Sequence, residues 1–254
     1  MKENFWIKTQ KKIRDFFSKR GYTCDGCGVE VFDYPTHRIC AKCEKRLSRA
    51  GECVCSKCGR KTVTEGVCMD CKSNLPKFTR GFAPFVYRDE LAAMINRMKN
   101  GTPRSALYLG EQMAEYFVEK HLKHQNKGEK ILLIPVPITK NKRLERGYNQ
   151  SERLAESLCE RLVAMGYDAR VDTEILEKRK ETAQQKQMGY VERMQNASGA
   201  YHVHKRKACK GKEVVLIDDI MTTGATASEC AARLFGAGAK EVYFLAAAAV
   251  IERR

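Results

Sequence analysis

The stretch Val214-Val215-Leu216-Ile217-Asp218-Asp219-Ile220-Met221-Thr222-Thr223-Gly224-Ala225-Thr226 gathers the residue types in this chain best suited to chemistry. The aliphatic run Val214 to Ile217 is expected of a strand buried on both faces of a parallel sheet. Asp218 and Asp219 follow at its carboxyl end. Thr222, Thr223, Gly224, Ala225 and Thr226 then lead into a helical pattern from Ala227 to Phe235. Strand, tight turn and helix start in that order make an anion site. First-turn N–H groups point outward, and glycine admits a ligand close to the backbone. Threonine hydroxyls add donors. The turn suits a phosphate, and the carboxylates suit something hydroxylated or metal-bound beside it, a combination that a ribose 5-phosphate supplies. No Gly-x-x-x-x-Gly-Lys-Ser/Thr loop occurs. Gly236-Ala237-Gly238 is not a dinucleotide fingerprint, since no strand precedes it and its third glycine is missing.

A second chemistry lies in the cysteines. Cys24-x2-Cys27 and Cys40-x2-Cys43 form one unit, and Cys55-x2-Cys58 and Cys68-x2-Cys71 repeat it. Each pair places two thiolates on one turn, and two pairs complete the tetrahedron a structural zinc prefers. Gly28 and Gly59 directly follow the second cysteine of their pairs, where a knuckle calls for positive φ. Intervals this short bury little core, so the metal is expected to supply folding energy. Spacing leaves open whether consecutive pairs or a cross-brace bind each ion. Cys53 is a spare, and His37 is read as a surface histidine.

These groups need a frame. The chain has 254 residues, enough for one large domain or two unequal ones. No apolar run is long enough to insert in a membrane, and the N-terminus lacks the apolar core of a secretory signal, so a cytoplasmic protein is expected. Cysteines there point to metal rather than disulfides. The formal charge of +16 favours polyphosphorylated ligands or nucleic acid. Residues 1–21 read as a basic amphipathic segment, 22–74 as the cysteine-rich unit, and 79–254 as the main domain, with residues 72–80 read as a linker where the last two meet. Periodicity predicts helices over 91–98, 107–122 and 151–165, and strands over 131–137, 200–204 and 242–250. Basic residues from Lys140 to Arg146 fall in the turn after Pro135-Val136-Pro137, where a pyrophosphate could meet them.

Residues 214–226 closely resemble the signature by which type I phosphoribosyltransferases bind PRPP, 5-phosphoribosyl 1-pyrophosphate. Further blocks extend the likeness: Arg143 with Arg146-Gly147-Tyr148-Asn149-Gln150, Thr182-x-x-Gln185-x-x-Met188, Arg193-x-x-Asn196 and Gly199-Ala200-Tyr201. With the paired four-cysteine units ahead of them, the order is similar to the ComF family, from Cys24 onward. Tyr148, Met188 and Tyr201 replace the family's usual Phe, Leu and Phe.

The resemblance implies an α/β fold, a type I phosphoribosyltransferase-like parallel sheet flanked by helices, behind an N-terminal double zinc ribbon. It implies that Asp218 and Asp219 contact ribose hydroxyls and carry the catalytic role. Met221, Thr222, Thr223, Gly224, Ala225 and Thr226 would surround the 5-phosphate, and the turn at Val136 and Pro137 the pyrophosphate. A flexible loop bearing Arg179, Thr182, Gln185, Arg193 and Asn196 would close over the site, with Mg²⁺ accompanying PRPP and zinc in two structural sites. It links the chain to natural transformation, beside a DNA-translocating helicase.

Two function classes follow. One is a phosphoribosyltransferase, in which the protein positions PRPP and stabilises charge while an unidentified nucleobase-like acceptor attacks. The other is a handler of single-stranded DNA, with PRPP as ligand or sensor and Tyr148, Tyr190 and Tyr201 as stacking platforms. A PRPP-sensing regulator outside competence is a third use of the same pocket.

Overall fold

The computed structural model describes residues 23–33, 36–101, 103–124, 128–179 and 199–251. The expected N-terminal helix and the loop residues Thr182, Gln185, Met188, Tyr190, Arg193 and Asn196 lie outside them. Packing divides the chain into two compact units, 1–45 and 46–254.

In the first unit, Cys24 N–H donates to the Val29 carbonyl and Gly28 N–H to the Cys24 carbonyl, closing a knuckle. A helix α1, Ala41–Arg46, begins after Cys40 and places Cys43 in the interior.

The second unit starts with another knuckle, Cys55–Cys58, and a one-turn helix α2, Met69–Ser73, that carries Asp70 and Cys71. Residues expected to form a free linker are packed instead. Phe78 is fully buried, Lys77 N–H donates to Ser228 Oγ, and Thr79 N–H donates to the Val242 carbonyl. Short strands β1, Arg80–Phe82, and β2, Phe85–Val86, follow. Next come helices α3, Asp89–Lys99, and α4, Ser105–Lys120, strand β3, Ile131–Pro135, and helices α5, Lys140–Arg146, and α6, Gln150–Ala164. The basic stretch expected as a loop is thus helical in α5: Thr139 caps its start by accepting from Lys142 N, and Gly147 ends it in the left-handed region. Strands β4, Ala169–Val171, β5, Leu176–Lys178, and β6, Tyr201–Val203, lead to helix α7, Arg206–Cys209. Strand β7, Glu213–Met221, helix α8, Ala225–Gly236, and strand β8, Glu241–Ala249, complete the described fold.

The main sheet runs β1-β8-β7-β3-β4, with β2 also on β8, and every pairing is parallel. The fold is therefore the expected helix-flanked parallel sheet. Central β7 and β8 are nearly continuous apolar runs because both their faces are covered. Each large aliphatic side chain so buried stabilises the fold by about 1.5–3 kcal/mol. The alanines Ala246 to Ala249 are completed by larger neighbours, and Phe244 packs on Phe78 at 5.4 Å between ring centres. Apart from the main sheet, β5 and β6 pair antiparallel.

Candidate functional site

The carboxyl end of β7 carries the site. This strand runs further than its aliphatic residues suggest, through Asp218 and Asp219 to the buried Met221. Alternation sends the two acids to opposite faces. Gly224 then takes φ 76°, in the left-handed region, and turns the chain into α8. Thr223 Oγ1 accepts from Ala225 N at 3.3 Å. The next first-turn N–H groups have no acceptor within their helix, and the helix dipole adds positive potential there. Thr222 is exposed, and Thr223 and Thr226 are partly so. Buried Tyr201 on β6 lies beside Thr226, and Glu229 Oε1 of α8 accepts from Gly199 N at 3.0 Å. The small antiparallel pair is thereby fastened to helix α8.

Asp218 Oδ1 accepts two hydrogen bonds at 2.9 Å, from Ser151 Oγ and from Asp219 N. Burial, and then the charge of Asp219, raise its pKa to about 7, against those donors and Lys99. Lys99 Nζ lies 2.9 Å from Asp219 Oδ2 as an ion pair, off the line of a hydrogen bond, and leaves that buried oxygen without a hydrogen-bond partner among the described residues. Lys178, at the end of β5, is close enough to feel both Asp218 and Lys142. Its pKa is lowered by burial and then by Lys142. The acids thus have Lys99 and Lys178 for neighbours, with Lys142 close to Lys178, a surrounding that suits an anionic ligand bearing hydroxyls.

The block Arg146 to Gln150 is the scaffold of this site. Tyr148 donates its hydroxyl to the Met98 carbonyl, one residue before Lys99. Asn149 Oδ1 caps α6 by accepting from Ser151 N at 3.0 Å, and its Nδ2 donates to the Val136 carbonyl at 3.0 Å. Val136 N in turn donates to the Ile217 carbonyl, at the start of the acid pair. One short segment thus fixes the Val136–Pro137 turn, Ser151 and the end of α3 together. Arg146 bonds Gln150 Oε1 at 2.9 Å, and Arg143 pairs with Glu152 at 2.6 Å. Tyr148 and Tyr201 are 3% exposed, so neither is a stacking platform. Arg179 lies beyond β5 and bonds Glu177 at 2.8 Å. Ser151 and Lys99 were not singled out from the sequence. The serine's place directly after a capping asparagine was a signal for its position, whereas nothing in the sequence pairs Lys99 with Asp219.

Cysteines group as consecutive pairs: Cys24, Cys27, Cys40 and Cys43 in the first unit, Cys55, Cys58, Cys68 and Cys71 in the second. Cys53 belongs to neither. Within each set the sulfurs lie within 4.8 Å of one another, and Cys27–Cys40 and Cys58–Cys68 are 3.8 Å apart. A ZnS₄ tetrahedron with bonds of about 2.3 Å has edges of about 3.8 Å, so both sets fit zinc. In both, the first cysteine's sulfur accepts from two backbone N–H groups, Cys27 and Cys40 on Cys24, and Cys58 and Cys68 on Cys55. Hydrogen bonds from Cys58 and Cys71 push the Cys55 thiol far down, while those with Cys55 push Cys71 up. Such a split is expected of thiols crowded around one cation position.

Residues 148–254 match the phosphoribosyl transferase domain family. Competence protein F of Haemophilus influenzae is 26% identical over 227 residues, covering 86% of each chain. With the two four-cysteine groups ahead of the matched domain, these likenesses agree with the resemblance to the ComF family. DNA utilization protein YhgH of Escherichia coli O6:H1 is 31% identical over 110 residues, 43% of this chain and 45% of that protein. YhgH of Salmonella typhi is 29% identical over 110 residues, 43% of this chain and 45% of that protein. The chain thus spans under half the length of these YhgH relatives. Among the described residues no helix is long and apolar enough to cross a membrane.

Proposed function

We propose that this protein binds PRPP together with Mg²⁺ at the β7–α8 junction and uses that site while handling single-stranded DNA during DNA uptake. The observation that carries the reading is the acid pair followed at once by the Thr222–Thr226 turn into α8, with Asp218 oriented by Ser151 and Lys99 beside Asp219. In this reading the turn holds the 5-phosphate, Asp218 and Asp219 accept from the ribose hydroxyls, and the Val136–Pro137 turn faces the pyrophosphate. Mg²⁺ supplies charge neutralisation of the pyrophosphate. Carboxylates beside the ribose also favour positive charge at its anomeric carbon, so the site suits phosphoribosyl transfer if an acceptor is delivered. The names of the relatives, competence and DNA utilization, together with the charge of +16, support a DNA-handling role in the cytoplasm beside a DNA-translocating helicase.

The test is calorimetric titration of the zinc-loaded protein with PRPP and Mg²⁺, beside an Asp218→Asn/Asp219→Asn variant. Micromolar binding that the variant loses is the expected result. A folded wild-type protein that takes up no PRPP overturns the proposal.

A further inference from the structure

Arg60 follows the second knuckle and is 3% exposed. Its guanidinium reaches three places. It lies close enough to Cys58 to feel its charge, it forms an ion pair with Asp70 between Cys68 and Cys71, and Nη2 donates to the Thr222 carbonyl at 2.9 Å. Thr222 is the first residue of the phosphate turn. One buried side chain therefore joins the sulfur cluster to the anion loop, 162 residues away in sequence.

The contacts around it make this a rigid connection. Gly81 N–H donates to the Lys57 carbonyl, and the Lys57 ammonium donates to the carbonyls of Phe78 and Thr79. Phe78 in turn lies against Gly224 of the same loop. The cluster's cysteines pack in one apolar core with Phe78, Met221 and Cys230. Arg60 cannot hold its pose alone. Helix α2, which presents Asp70, has five residues, too few to persist unless a metal holds Cys68 at its start and Cys71 within it. Four thiolates around one divalent ion leave net negative charge, which the guanidinium offsets.

We infer that Arg60 is a positioning residue for the anion loop, and that it makes metal occupancy of the Cys55–Cys58–Cys68–Cys71 cluster a determinant of PRPP affinity. This rests on the PRPP reading above. With metal bound, the ion pair with Asp70, beside the charge of Cys58, fixes the guanidinium, which fixes the Thr222 carbonyl and the N–H groups behind it. With metal removed, α2 loosens, the ion pair opens and the loop loses its tether.

Two readouts test it on the full chain: amide hydrogen exchange over residues 222–226, which needs no ligand, and PRPP titration with Mg²⁺. Zinc per chain is measured for every sample. Arg60→Gln holding two zinc ions is expected to show faster loop exchange and about tenfold weaker PRPP binding, in the range of one lost charge-assisted hydrogen bond. Arg60→Lys, which keeps charge but not the fork, recovers part of both. Stripping zinc from the wild type speeds loop exchange in the same way. Unchanged loop exchange in zinc-replete Arg60→Gln overturns the inference. Should Arg60→Gln lose zinc, Asp70→Asn with full zinc decides by the same two measurements. If the wild type does not bind PRPP, the functional reading fails, while the exchange experiment still decides the role of Arg60.

Discussion

Asn149 offers the sharpest measure of how the site is assembled. Its side chain is 1% exposed and makes two buried bonds, accepting from Ser151 N and donating to the Val136 carbonyl, each at 3.0 Å. Asn149→Ala removes the cap of α6, worth about 1 kcal/mol. It also strands the buried Val136 carbonyl, a further loss of about 1–3 kcal/mol. Together the loss is about 2–4 kcal/mol, which for a domain of this size lowers Tm by about 5–15 °C. Asn149→Ser keeps a capping oxygen but cannot reach Val136, so it should lose only the second part. Asn149→Asp also keeps the cap yet sets an acceptor against an acceptor, and should be the worse of the two. Both bonds converge on the turn at Val136 and on Ser151, which orients Asp218. PRPP affinity should therefore fall at temperatures where all variants are fully folded. Denaturant or thermal unfolding with parallel calorimetry gives both numbers. An Asn149→Ala protein within about 0.5 kcal/mol of wild type, with unchanged PRPP binding, would refute the assembly described here.

The pH response follows from Asp218. Its folded pKa, about 7, lies above its ordinary 3.8, so its protonated form is favoured by folding. Its contribution to stability is complete below about pH 4 and is lost as pH rises through about 7. Hydroxyl recognition needs the ionised form, so PRPP affinity should rise from about pH 6 to about pH 8, with proton release. Ser151→Ala removes a donor to the carboxylate and should move the midpoint upward. Calorimetry in buffers of different ionisation enthalpy, with pyrophosphate as control for the ligand's own titration, tests both. The knuckle glycines should separate in a second experiment. A Cβ on Gly59, at φ 75°, would lie 2.4 Å from the Gly81 carbonyl oxygen, whereas one on Gly28, at φ 80°, meets nothing within 4 Å. Gly28→Ala should lose only the left-handed penalty of about 1–2 kcal/mol and keep its zinc. Gly59→Ala should lower both zinc content and Tm by more, and equal effects of the two would contradict the packing described.

Much of this was legible in the sequence because it is local. The aliphatic run of β7, the turn glycine and the helical pattern of α8 announce the anion site within a few residues. The paired cysteine spacings likewise report on one turn each. Asn149 was visible as part of a motif, but not its hand on Val136, since nothing in the order of residues reports a bond across two loops. Lys99 and Arg60 were illegible for the same reason. Each is an ordinary basic residue in a basic chain until the fold brings it to Asp219 or to Thr222. Aromatic residues in basic surroundings suggested stacking surfaces, and there composition misled: Tyr148 spends its hydroxyl on the Met98 carbonyl and its ring in the core. The supposed linker failed because its polar letters conceal Phe78, whose burial governs the segment.

The two knuckles show how one motif serves two ends. Their backbones are alike: Cys24 N–H donates to the Val29 carbonyl and Cys55 N–H to the Arg60 carbonyl, with a left-handed glycine before each acceptor. The side chains at that shared position differ. Val29 is 52% exposed, with Phe32 close behind it at 86%, whereas Arg60 is buried against Asp70 and Thr222. The metal-binding geometry needs only the backbone and the sulfurs, so it leaves this position free. In the second knuckle the free position is occupied by a charge whose burial is tolerable only because thiolate, carboxylate and carbonyl all face it. Removing any of those partners leaves the guanidinium buried and underpaired. The same dependence that makes Arg60 expensive to hold makes it informative: its pose reports on the cluster at one end and constrains the anion loop at the other. The first knuckle has an exposed valine there, a side chain with no donor for a carbonyl and no charge to set against thiolates.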